Sequence, residues 1–140
     1  MDFNKLLAYQ KAFALAMSIF EVSKTFPKEE VYSLTDQVRR SSRSVNANIS
    51  EAYRKRRYPK HFISKLTDAD GENSETSTWL DFALACSYLN SEQHLELTNQ
   101  TKEVGRLINY MINNPNKFGV SAEKFEVMST KSVTATATEN

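Results

Sequence analysis

The sequence predicts an all-α protein, an antiparallel up-down-up-down four-helix bundle, and three observations carry that reading. The 140 residues include only 3 Gly and 3 Pro, too little punctuation for a sheet of many short strands. Four long stretches repeat apolar residues at steps of three and four, the period of a helix with a buried face. Short connections between those stretches place consecutive helices side by side and opposite in direction. With 40% apolar and 25% charged residues, the chain has the composition of a soluble domain with one core.

The first helix is expected from about Asn4 to Thr25, with Pro27 marking its end. One apolar seam runs Leu6, Tyr9, Phe13, Ala16 and Phe20, and a second runs Ala8, Ala12, Leu15, Ile19 and Val22. A helix at the edge of a monomeric bundle needs one buried stripe, so the second seam is expected to pack against another copy of the chain. A central helix with a wide internal face also accounts for two seams.

The second helix is expected to begin between Glu29 and Leu34 and to end near Arg54, burying Leu34, Val38, Ser41, Val45, Asn48 and Ala52, with Ser42 and Ile49 beside them. An amide on that stripe must find partners or cost about 1–3 kcal/mol, which gives Asn48 the task of setting register. Pro59 suits the first turn of a third helix running to about Leu89, along Phe62, Leu66, Ala69, Asn73, Thr76, Leu80 and Ala83. Inside it Gly71 costs about 1 kcal/mol relative to Ala and is expected to permit a close helix crossing, while Cys86 reads as a small buried residue.

Asn90 and Gln93 form a candidate capping box for a fourth helix along Leu97, Thr101, Val104, Ile108 and Met111, stopped by Asn113-Asn114-Pro115. The bundle therefore spans residues 1–114. Residues 115–140 form a tail with one apolar cluster, Phe118, Val120, Phe125, Val127 and Met128, and its last dozen residues are expected to be disordered.

A net charge of +1 conceals strong segregation. Residues 39–65 hold nine basic groups and one acidic group, whereas residues 66–140 hold five and eleven. Half of all Lys and Arg thus lies in about a fifth of the chain, the first place to look for an anionic partner.

The run from Phe26 to Ala52, FPKEEVYSLTDQVRRSSRSVNANISEA, resembles the signature of the small four-helix-bundle proteins encoded by intervening sequences within bacterial 23S ribosomal RNA genes. The family's Phe-Pro-x-x-Glu turn, Leu-Thr-x-Gln-x-Arg-Arg stretch and Asn-Ile-Ala-Glu-Gly end fall on Phe26, Pro27, Glu30, Leu34, Thr35, Gln37, Arg39, Arg40, Asn48, Ile49 and Glu51. Gln10-Lys11-Ala12 and Tyr88-Leu89 extend the likeness to roughly residues 3–113. Tyr9 replaces the family's Trp, and Ser50 and Ala52 replace its Ala and Gly around Glu51. The resemblance implies a ring-shaped homopentamer. It also implies kinship in fold with accessory proteins of diversity-generating retroelements, which makes a reverse transcriptase or nucleic acid a candidate partner.

Catalytic chemistry is poorly represented. A di-iron bundle needs Glu-x-x-His on two helices, but Tyr58 and Ser91 stand three residues before His61 and His94. No Gly-rich phosphate loop is present, and one Cys makes neither a thiolate-rich zinc site nor an intramolecular disulfide. No enzyme activity, metal, cofactor or small-molecule substrate is expected. The N-terminus lacks a signal-peptide pattern and no apolar run approaches the roughly 18 residues of a membrane span, so a cytoplasmic protein is expected.

If the tight turn near residue 57 centres an antiparallel pair, facing residue numbers add to about 114. Arg39, Arg40 and Arg43 then lie level with Glu75, Ser74 and Gly71, and the Arg39-Arg40 pair is expected in a structural ion-pair network with Glu72, Glu75 or Glu51. Arg54, Lys55, Arg56, Arg57, Lys60 and Lys65 remain uncompensated, interleaved with Tyr53, Tyr58 and Phe62. Cations among aromatics suit phosphate contacts and base stacking on single-stranded RNA; a solvated helix end has the same composition. The function expected is a homo-oligomeric scaffold associating with RNA or DNA through this turn, with a protein-binding adaptor as the alternative.

Overall fold

The computed structural model describes residues 1–120, and these form four α-helices and three short 3-10 turns. The helices are α1 (Leu7–Ser23), α2 (Leu34–Arg54), α3 (Pro59–Ala85) and α4 (Ser91–Asn113), and no strand occurs among the described residues. None of these helices is long and apolar enough to cross a membrane.

Polar contacts between helices fix the register. Asn46 of α2 meets Tyr9 of α1, and Arg39 meets Ser23. Ser41 meets Thr76 and Glu51 meets Lys65 between α2 and α3. Asn109, Thr101 and His94 of α4 meet Asp70, Asn73 and Asp81 of α3, and Glu103 of α4 pairs with Lys11 of α1. In every pair with two or more contacts, residue numbers rise on one helix as they fall on the other.

The stripes expected on the last two helices are the buried ones. Phe62, Leu66, Ala69, Asn73, Thr76, Leu80 and Ala83 of α3 and Leu97, Thr101, Val104, Ile108 and Met111 of α4 are all buried. The capping box is complete: Asn90 accepts from the Gln93 amide and Gln93 accepts from the Asn90 amide, satisfying two donors that a helix start leaves open. Helix α3 stops before the expected Leu89, because Ser87 takes a left-handed conformation (φ 63°) and the Tyr88 amide turns back to the Ala83 carbonyl. Cys86 therefore caps the helix and is exposed rather than buried.

Helix α1 corrects the expected use of its seams. Ala8, Ala12, Leu15 and Ile19 belong to the core of the single chain, with Ile19 0% exposed and Leu15 2% exposed, and Val22 packs against the same core. Ala8, Ala12, Leu15 and Ile19 leave no surface for a second copy, and Val22 is half-buried. The face turned outward carries Phe13 and Met17, 52% and 46% exposed. Two apolar seams thus reflect a helix that fills the core on one side and leaves an apolar flank on the other.

Two further expectations change. On α2 the buried amide is Asn46; Asn48 is half-buried and donates to the Ser44 carbonyl and hydroxyl of its own helix. The close crossing belongs to Gly105, where an added Cβ would lie 3.3 Å from Asn73 Nδ2, whereas Gly71 faces open space. Beyond α4, Pro115 and Val120 are buried and Phe118 packs on the core, so residues 115–120 dock onto the bundle. Phe125, Val127, Met128 and the last dozen residues lie outside the described residues.

Candidate nucleic-acid interface

Helix α2 ends at Arg54, and the chain reverses within four residues before Pro59 starts α3. Tyr58 is extended, which suits the residue before a proline, and buried Tyr53, Pro59 and Phe62 anchor the turn from below. Tyr53 and Phe62 are therefore unavailable to a ligand, which corrects the expected interleaving. Tyr58 is the aromatic of this set that remains exposed, with its ring edge-on to His61.

The cations of the turn are held apart by separate supports. The Arg54 guanidinium lies 5.7 Å from the centre of the Phe3 ring, and that of Arg56 lies 3.7 Å from the Tyr53 ring. Gly119 (φ 86°) presses against Arg56, where a Cβ would come within 3.3 Å of Nη1. The N-terminal turn and the segment after α4 thus both reach this end, a convergence invisible in the local sequence of residues 54–60. Arg54, Arg57, Tyr58 and Lys60 are exposed, while Lys55 and Arg56 are half-buried. Among the described residues no carboxylate forms an ion pair with Arg54, Lys55, Arg56, Arg57 or Lys60.

Lys65 does not belong with them. Its ammonium sits 2.9 Å from Glu51 and 4.0 Å from Asp68. The hydrogen bond and charge of Lys65 hold the Glu51 carboxyl below its usual range, and Glu51 raises Lys65 in return. Glu51 and Lys65 tie α2 to α3 one turn behind the reversal.

The Arg39-Arg40 pair also departs from expectation. Facing residue numbers on α2 and α3 add to 116 or 117, not about 114, and the arginines turn away from α3 altogether. Arg39 Nε donates to Ser23 Oγ at 2.8 Å and Nη2 reaches the Phe20 carbonyl at 3.5 Å, closing the end of α1. The Arg40 side chain is 75% exposed and meets Asp36 at 3.5 Å, one turn back on its own helix. Glu72 finds no arginine; burial, then the adjoining Glu75 carboxyl, raises its pKa.

Seen along α2, Arg40, Arg43, Ala47, Ser50 and Arg54 follow helical steps of three and four. They form a basic stripe about 20 Å long with a small-residue centre. Phe20 lies 5.7 Å from Arg43 and Phe3 5.7 Å from Arg54, and the Phe3–Tyr9 and Tyr9–Phe13 ring contacts lead from Phe3 along α1. The signal for this stripe was present in the 40-43-47-50-54 spacing, but an assumed partnership with α3 carboxylates obscured it.

The remaining motif residues shape the entry to α2. Phe26 is buried against the Tyr88 ring, and Glu30 accepts both the Tyr88 phenol at 3.0 Å and the Leu34 amide at 3.4 Å. The hydrogen bond to Glu30 pushes the Tyr88 phenol up to about 12. Gln37 is exposed at the rim of a 240 Å³ groove with Trp79, Phe82 and Cys86. Among the described residues, no group of three or more His, Cys, Asp or Glu could hold a metal ion.

The family described as 23S rRNA-intervening sequence protein matches residues 4–110, a span that includes the turn and the basic stripe. Comparison with curated proteins finds no match. Among solved structures, the chain is similar to the crystal structure of a protein of unknown function from the S23 ribosomal protein family of Bacteroides thetaiotaomicron. That similarity has a TM-score of 0.70 and 29% sequence identity, covering 81% of this chain and 99% of that one.

Proposed function

Because the chain belongs to the 23S rRNA-intervening sequence protein family, we propose that it is a non-enzymatic scaffold that associates with RNA through the α2–α3 turn. In this reading the helices keep up-down-up-down order and copies assemble into a ring-like homo-oligomer, a pentamer by family resemblance. With Ala8, Ala12, Leu15 and Ile19 committed to the core, the exposed residues Leu7, Phe13 and Met17 give α1 an apolar surface for contacts between copies. The observation that carries the RNA reading is the set of five cations at one turn, Arg54, Lys55, Arg56, Arg57 and Lys60, none in an ion pair among the described residues, with only Lys55 close enough to Glu51 for its charge to help lower that carboxyl. A concentration of positive charge on one turn draws polyanions, and phosphates deliver negative charge at regular spacing.

Titration of a single-stranded RNA into the full chain at several salt concentrations tests the reading. Binding through the turn gives a log-log salt slope of roughly −0.7 per phosphate engaged. Changing Arg54, Arg57 and Lys60 together to Ser should weaken binding and flatten the slope with little change in melting, since all three are exposed. A triple variant that binds RNA like wild type would reject the turn as the interface. Light scattering that gives a 16.0 kDa species would reject the oligomer.

A further inference from the structure

We infer that the cleft lined by Val31, Thr35, Asp36, Arg39, Arg40 and Arg43, about 340 Å³ in volume, is a binding site for a phosphoryl group. Three arginines line it against one carboxylate, Asp36, which meets Arg40 at 3.5 Å. Arg39 and Arg43 both lie against the Phe20 ring, with guanidinium carbons 4.8 and 5.7 Å from its centre. Two cations drawn to one ring repel each other, and an anion bound in the cleft that both arginines line would offset that repulsion. Arg39 gives Nε and Nη2 to Ser23 and the Phe20 carbonyl, so it contributes a fixed positive charge to the cleft, and little of its rotamer freedom is lost when a ligand arrives.

A second, independent feature marks the same place. Thr35 is 4% exposed, and its hydroxyl is buried without a hydrogen-bond partner. Such orphans are rare because they carry the full desolvation cost, and since Thr35 lines the cleft, a turn about its χ1 would bring the hydroxyl to a ligand oxygen. Thr35 also lies in the first turn of α2, where the helix dipole favours negative charge. A planar guanidinium fork matches the oxygens of a phosphoryl group, so the chemistry fits either free phosphate or the backbone of a nucleic-acid strand. The site stands apart from the turn and does not depend on it.

The experiment compares melting of the full chain in inorganic phosphate and in chloride at matched ionic strength, alongside RNA affinity, for wild type, Thr35→Val and the double variant Arg40→Gln/Arg43→Gln. Phosphate at tenfold its dissociation constant should raise the wild-type melting temperature by about 5 °C over chloride. The double variant, both of whose changes are at exposed side chains, should lose phosphate affinity on the order of tenfold, and Thr35→Val a few-fold without losing its fold. Equal loss of RNA affinity in the double variant identifies a strand backbone as the source of the phosphoryl group; RNA affinity kept while phosphate protection is lost identifies a free phosphate. Neither ligand distinguishing the double variant from wild type would overturn the site. The triple change at the turn should leave phosphate protection intact, which separates failure of this site from failure of the RNA interface.

Discussion

Asn46 Nδ2 donates to the Tyr9 carbonyl at 3.0 Å, tying the middle of α2 to the first turns of α1. The bond crosses between helices at a nearly buried position, so it fixes their relative slide, whereas the Asn48 amide only folds back on Ser44. Asn46→Ala should cost about 1–2 kcal/mol, one buried hydrogen bond plus the space left behind. Asn48→Ala should stay within about 0.5 kcal/mol of wild type. Urea unfolding of the two variants decides it, and equal losses would mean that the cross-helix bond does not specify register.

Arg39 and Arg40 are adjacent in sequence but differ in structural weight. Arg39→Ala removes the bond to Ser23 and the contact with the Phe20 ring, and is expected to cost about 1–3 kcal/mol. Arg40→Ala breaks only an exposed pair with Asp36 and should change stability by less than about 0.5 kcal/mol. Comparable destabilisation by both would place Arg40 in a contact other than this pair.

The two glycines inside helices should respond in opposite ways to a methyl group. Gly71→Ala meets open space and should stabilise by up to about 1 kcal/mol through helix propensity. At Gly105 the new Cβ would lie 3.3 Å from Asn73 Nδ2, the donor to the Thr101 carbonyl, so the same propensity gain is offset by a shift in a buried hydrogen bond. Melting curves should rank Gly71→Ala above wild type and Gly105→Ala clearly below Gly71→Ala.

The contrast between these residues shows which features were legible in the sequence. The core stripes of α3 and α4 were readable because regular 3-4 spacing and a capping box act locally, and the capping box then set the start of α4 by its own geometry. The choice between two seams on α1, or between Asn46 and Asn48, depends on how the helix is rotated against its neighbours, which no local pattern encodes. The same holds for charge. A register off by two or three residues sent Arg39 and Arg40 towards α3, although α1 offered them a ring and a helix end. Phe3 and Gly119 reach the basic turn only through the closure of the bundle.

Acid titration supplies a last test, through Glu72. Its pKa lies above the ordinary value of 4.5, raised first by burial and then by Glu75, so the folded chain holds this proton more tightly than the unfolded chain. Between 4.5 and the raised value the native state therefore carries more protons, and stability must fall as pH rises through that window. Glu72→Gln removes the titrating group and its repulsion with Glu75, three residues along the helix. Above the window the variant should exceed wild type by about 0.2–0.5 kcal/mol, the scale of one like-charge pair on a helix surface. Below the window that advantage should vanish, because wild-type Glu72 is then neutral as well. Denaturant unfolding of both proteins across this acid range checks the loss of that advantage, and a difference that is constant with pH would show that neither burial nor Glu75 raises Glu72 in the folded chain.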